Sequence, residues 1–237
     1  MLMKKIILIG ATALLAGPLF AADSSPKDDI INAAQKLAAG DNYSWHTTVV
    51  VPEGSRFRPG PTDGKTEKDG YTYVKMSFGG NDTEIVMKGD NAAVTDPNGG
   101  WQSLADLAGD DQGPGRFLVG MIRNFKAPAA QVTNLVAAAK EIKTDGDACG
   151  GDLTEAGAKA LLSFGPRGGG ASITNAEGSV KFWVKDGALV KFEFKVKGTV
   201  DFNGNSRDVD RDTTVEIKDI GATKVEVPDD AKKKLSH

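Results

Sequence analysis

Apolar and charged residues alternate most strictly in the last third of the chain, where Val190–Val196 reads Val-Lys-Phe-Glu-Phe-Lys-Val. A period of two puts Phe192, Phe194, Val196, Val200 and Phe202 on one face of a strand, with Glu193, Lys195, Lys197 and Asp201 on the other. Asn203-Gly204 then supplies a hairpin turn, and Thr213, Val215 and Ile217 form the apolar face of a partner strand ending near Lys218. Such strands belong to an antiparallel sheet wetted on one side and covered on the other.

The rest of the chain supplies more strands and the cover. Ser25-Pro26 opens a helix with a capping serine, a proline in its first turn and Asp28 and Asp29 at the positive end of the dipole; Gly40 stops it. Tyr43–Val51 reads as a strand rich in β-branched and aromatic residues. Pro52–Lys65 carries three prolines and three glycines and reads as a long loop. Gly70–Phe78, Thr83–Lys88 and Asn91–Thr95 follow as a meander.

The middle is helical. Leu104–Ala108 reads as one turn or two, and from Pro114 the residues Phe117, Leu118, Met121, Ile122 and Phe125 recur at three- and four-residue spacing. Pro128–Lys140 and Thr154–Phe164 continue the helical block, with turn chemistry over Thr144–Asp152 and a loop at Gly165–Gly170. Strands return from Ser172 onward, and a short strand Lys224–Val227 and a helical end over Asp229–Leu235 close the chain.

Lys4 and Lys5 ahead of the apolar run Ile6–Leu15, the Gly17-Pro18 break and Ala21-Ala22 have the three parts of a secretory signal peptide. The run is too short to span a bilayer permanently. Cleavage is expected after Ala21, leaving one domain over 22–237, exported to a periplasm or the outside. No cysteine follows the apolar run, so no lipid anchor is expected. Removing the signal takes two lysines from the 29 basic residues against 32 acids, a balance of about −5, which argues against a nucleic-acid partner. Cys149 is the one cysteine, so no intrachain disulfide forms.

No cluster of residues has the makings of a catalytic centre. His46 and the terminal His237 are the two histidines, and His46 sits in an alternating strand beside Trp45. One cysteine and no usable histidine pair exclude an ordinary zinc site. Asp145-Gly146-Asp147 starts like a calcium loop, but Cys149 and Ala156 occupy its fifth and twelfth positions, so that reading fails. Asp208, Asp210 and Asp212 share one strand face, read as solvated and neutralised by Arg207 and Arg211. Gly165–Gly170 lacks the lysine and hydroxyl residue of a phosphate loop. In the long loop, Arg56 and Arg58 flank Phe57, a tip suited to an anionic membrane surface or a partner protein. No cofactor and no metal are expected.

The order helix, strand, long loop, strand meander, helical middle, strand meander resembles the exported lipoprotein-carrier superfamily of LolA, LolB and the LprG-like proteins. Local phrases carry the resemblance: Trp45 in the first strand, Asp69–Val74, Gly100-Trp101, Val180–Gly187 and the closing Val225-Glu226-Val227-Pro228. It implies an α+β, mainly antiparallel fold: a curved, incomplete β-barrel whose concave, apolar side is closed by helices. Members hold acyl chains there, which makes a lipid or lipoprotein the implied ligand and Trp45, Phe117, Met121, Phe125, Phe192 and Phe194 the implied lining. Two functions stay open: an exported, non-enzymatic carrier of an apolar ligand, or an envelope interaction module with a filled core that recognises a protein through its loops. An enzyme ranks third.

Overall fold

The computed structural model describes residues 24–40, 42–55, 58–78, 81–96, 99–109, 114–163, 171–202 and 204–235. The expected signal peptide, Arg56, Phe57, Asn203, the glycine-rich loop and the side chain of Phe117 lie outside the described residues.

Chain order is α1 (Pro26–Ala39), β1 (Tyr43–Val50), β2 (Thr62–Thr66), β3 (Thr72–Phe78), β4 (Asn81–Lys88), β5 (Asn91–Thr95), β6 (Trp101–Ser103), α2 (Leu104–Ala108), α3 (Pro114–Arg123) and α4 (Pro128–Ala138). There follow β7 (Lys143–Asp145), β8 (Ala148–Asp152), α5 (Glu155–Leu162), β9 (Ala171–Lys185), β10 (Ala188–Phe202), β11 (Asn205–Lys218) and α6 (Asp229–Lys234). The strands form one sheet in the order β6-β5-β4-β3-β2-β1-β11-β10-β9-β8-β7. Every pairing is antiparallel, and the terminal strands β6 and β7 do not meet, so the barrel is incomplete.

The alternation in β10 is real. Phe192 lies opposite Val215 of β11 and Phe182 of β9, and Phe194 opposite Thr213 and Val180. Phe182 and Phe192 are completely buried, whereas Lys195 and Lys197 face water. Near β10's start the register shifts between Leu189 and Lys191, so Leu189 and Phe192 both turn inward although they stand three positions apart. A second irregularity between Lys197 and Thr199 faces Asn175, whose φ of 53° is left-handed. There Gly198 makes room for α5: a Cβ would stand 2.7 Å from Leu162 Cδ1.

The inner face carries the main core. α1 contributes Ile30, Ala34 and Leu37, α4 contributes Val132 and Val136, and α5 contributes Ala158 and Leu162. α1 packs on α4 and β10, and α5 packs on β9 and β10. Ser25 caps α1 as expected, its hydroxyl accepting from the Asp28 amide at 3.2 Å. A smaller cluster sits on the outer face, where Ala231 and Leu235 cover Val86 and Ala93 beside Tyr71, Tyr73 and Trp101.

Four local expectations need correcting. The Pro52–Lys65 loop ends in β2, a strand without an apolar side chain: its sequence is Thr-Asp-Gly-Lys-Thr, and backbone pairing with β1 and β3 makes it. The Thr144–Asp152 turn region is the two-stranded ribbon β7–β8 at the sheet edge. Residues 224–227 are not a strand; the Val225 amide instead donates to Glu67 Oε1 at 2.7 Å. Finally, Arg211 lies opposite Val196 on the inner face, and Arg207 opposite Val200, away from the aspartates. Asp212 forms its ion pair with Lys195 of β10, and Asp208 accepts from Thr199 at 2.8 Å. The aspartate face is a solvated one, as expected.

Candidate ligand-binding cleft

β1 and β2 build the back wall. Trp45 lies opposite Gly64, and the missing side chain there lets the indole lie across the neighbouring strand. The buried indole stacks on Phe125, with centroids 6.2 Å apart and planes 29° apart, and its other neighbour Tyr43 stands at 5.9 Å. Burial pushes the Tyr43 phenol up to about 12, while a backbone hydrogen bond at Ala129 works the other way. That bond falls in the first turn of α4, which has no side-chain cap.

Phe125 sits in the short connection after α3, where its amide donates to the Ile122 carbonyl at 3.1 Å. The connection ends at Pro128, which opens α4 with φ already helical. Across from it, α2 begins in a capping box: Ser103 Oγ accepts from the Asp106 amide, and the Ser103 amide donates to Asp106 Oδ2, both at 3.1 Å. The Ser103 bonds hold the Asp106 carboxyl below its usual range. α2 packs on α3, β5 and β6.

A cleft of about 710 Å³ opens between that helical wall and the β3–β4–β5 wall. Met87, Ala92, Leu104, Ile122 and Phe125 line its apolar part, and all five belong to or pack on the main core. Lys88 and Asp90 from the β4–β5 turn and Arg123 from the last turn of α3 line its polar part. All three are exposed. Lys88 Nζ also stands 4.9 Å from the Tyr71 ring centroid.

The structure thus brings together two of the residues singled out from sequence. Phe125 lines the cleft, and Trp45 backs it. Met121 is half-buried on the same helix as Ile122 and packs on the core, as does half-buried Phe194 farther along the sheet. Phe192 is core, with no exposed surface. Arg58 is exposed, and its partners in the proposed tip, Arg56 and Phe57, lie outside the described residues. Lys88, Arg123, Met87 and Ala92 were not legible as site residues, because no spacing connects a β-turn with a helix end some thirty positions away.

His46 lies opposite Asp63, and its Nδ1 is 2.7 Å from Asp63 Oδ1 on the solvated side of β1. Among the described residues no group of three or more histidines, cysteines and acids is placed to hold a metal ion. No described helix is long and apolar enough to cross a membrane. One interior cation stands out: Arg211 is largely buried, burial pulls it below its usual range, and its Nη2 donates to the Leu161 carbonyl at 2.6 Å. That carbonyl belongs to the final turn of α5, where a cation opposes the negative end of the dipole.

An incomplete antiparallel barrel with helices on its inner face and a cleft at the helical rim defines the class. Among solved structures, the chain is similar to the lipoprotein LppX of Mycobacterium tuberculosis, at 11% identity and a TM-score of 0.48 over 87% of this chain and 100% of the other. It is similar to LprF from Mycobacterium bovis at 13% identity and a TM-score of 0.44, covering 87% and 97%. A LolA-superfamily protein from Nitrosomonas europaea matches at 12% identity and a TM-score of 0.34, covering 86% and 96%. These are likenesses of chain path. No protein-family model and no curated protein matches the chain.

Proposed function

We propose that this protein is an exported, non-enzymatic carrier that holds a lipid or other apolar molecule in the cleft under α3. The observation that carries the reading is the cleft itself: about 710 Å³, floored by Met87, Ala92, Leu104, Ile122 and Phe125. That volume falls within the roughly 300–1,000 Å³ typical of small-molecule sites, and the lining is mixed, with Thr72, Lys88, Asp90, Asn91 and Arg123 beside the apolar residues. Elsewhere, Met76, Met121, Ile173, Phe194, Val200 and Val209 pack on the same core and are only partly buried. Export rests on the N-terminal pattern of Lys4, Lys5 and the run Ile6–Leu15, with the working chain beginning near Ala22.

Fluorescence titration with the neutral apolar dye N-phenyl-1-naphthylamine tests the carrier reading. The protein should bind it saturably, and Ala105→Trp, which puts an indole into the cleft from an exposed helical position, should weaken binding at least tenfold at unchanged melting temperature. A protein that does not bind the dye is not such a carrier, and the interaction module with a filled core then takes its place.

A further inference from the structure

The sheet ends at β6, three residues long and paired with β5 alone. Its last residue, Ser103, caps α2, and the next two, Leu104 and Ala105, line the cleft. This corner of the cleft wall thus has sheet on one side only, and the C-terminal segment braces it from outside. Beyond β11 the chain runs back past the start of β1 and the end of β2. There the Gly221 amide donates to the Asn42 carbonyl at 2.7 Å, and Asn42 Nδ2 donates to the Thr223 carbonyl at 2.9 Å. The Val225 amide donates to Glu67 Oε1 at 2.7 Å. α6 then packs on β5 and β6, seating Ala231 and Leu235 over Val86 and Ala93 beside Trp101. From its last turn Lys234 Nζ comes within 3.5 Å of Asp106 Oδ2, the carboxylate of the α2 capping box.

The two halves of this segment are held differently. Residues 221–225 are tied by the three hydrogen bonds at Asn42 and Glu67. α6 has six residues, no side-chain cap at Pro228, and exposed ion pairs from Lys232, Lys233 and Lys234. So short a helix does not persist in water by itself, so it stays helical only while Ala231 and Leu235 are seated. Between the halves stands Pro228, which has no amide hydrogen to anchor.

We propose that α6 is a releasable clasp on the cleft. Seated, it holds the β6–α2 wall closed against α3; detached beyond Val225, it lets that wall swing away, and an apolar ligand enters or leaves there. The clasp controls the site of the carrier reading and rests on that reading. Release gives up two apolar side chains and a few exposed ion pairs, which contribute little, while the hydrogen bonds at Asn42 and Glu67 stay made. Gating elements are drawn from such weakly held parts of a fold.

Amide hydrogen exchange on the full-length protein tests the release, and stopped-flow fluorescence with N-phenyl-1-naphthylamine tests the gate. In the unaltered protein α6, β6 and α2 should exchange together by local opening, at least a hundredfold faster than β9 and β10. Ala231→Asp, which puts a charge into the buried seat, should quicken exchange in β6 and α2 at least tenfold and leave β9 and β10 unchanged. Dye entry and release should each become at least fivefold faster in that variant. Lys233→Ala, on the exposed side of α6, should change neither reading. If α6 in the unaltered protein exchanges only through global unfolding, the clasp is overturned, whatever the variant does. Faster exchange confined to α6, or bound dye whose rates stay the same in Ala231→Asp, overturns the clasp and leaves the carrier reading standing. A protein that binds no dye overturns the carrier reading and the gate with it.

Discussion

The indole of Trp45 occupies the space that a side chain at Gly64 would need: a Cβ there would lie 2.0 Å from both Cε2 and Cζ2 of the ring. Gly64 is therefore the reason a strand as polar as β2 can sit in this sheet. It lends its missing side chain to its neighbour's largest one, and Trp45 in turn backs Phe125 at the cleft.

Gly64→Ala should accordingly destabilise the protein by about 1–3 kcal/mol, the range for overpacking a filled site. Gly100→Ala, whose Cβ would meet nothing nearer than 3.6 Å, serves as the control. Urea unfolding with tryptophan fluorescence measures both. Equal midpoints for the two variants would refute the close approach.

Phe192 and Lys195 sit on opposite faces of β10. Phe192→Ala should cost about 3–5 kcal/mol, as for other fully buried aromatics, and should lower the melting temperature sharply. Lys195→Ala removes only an exposed ion pair with Asp212 and should move the midpoint far less. Comparable losses would mean that the face assignment is wrong.

Arg211 joins the inner face of β11 to the last turn of α5 through the Leu161 carbonyl. Arg211→Met keeps the stem and removes the donor. Amide hydrogen exchange should then quicken in the last turn of α5, at Leu161 and Leu162, by about tenfold, matching the roughly 1.5–3 kcal/mol of a hydrogen bond to a charged group in part. Amides of β3 and β4 should be unaffected. Unchanged protection in α5 would show that the contact does not hold the helix.

Burial raises the phenols of Tyr43 and Tyr73 to about 12. At Tyr73 the carboxylate of Glu84 adds to the effect. A group whose acid form is favoured by folding lends stability below its unfolded value, near 10, and that stability is lost as pH rises toward 12. For Tyr43 the loss over that window is on the order of 2–3 kcal/mol. Absorbance titration at phenolate wavelengths should show a late step for each, and Tyr43→Phe and Tyr73→Phe should each delete one. Early titration in the folded protein would contradict the burial.

Much of the sheet was legible before any coordinates. The period of two in β10 and β11 survives because one face must leave water and the other must stay in it, a constraint acting on each residue separately. The cap of α1 was legible for the same local reason: an orphan amide needs an acceptor within three residues, and Ser25 provides one. Periodicity likewise identified Met121 and Ile122 on the inward side of α3, whereas Phe125, which it put on the same helix, lies in the connection beyond Arg123. It could not find β2, whose Thr-Asp-Gly-Lys-Thr has no apolar alternation, because its place is set by backbone pairing on both sides and by the indole crossing Gly64. The same alternation puts Arg211 on the face of Thr213, Val215 and Ile217, away from Asp210 and Asp212, but it could not show the Leu161 carbonyl of α5 that receives the guanidinium there. The cleft depends on tertiary packing altogether. Lys88 and Arg123 become neighbours of one cavity only when α2, α3 and the β4–β5 turn dock, and a cavity is space left by packing, which no local pattern in a chain encodes.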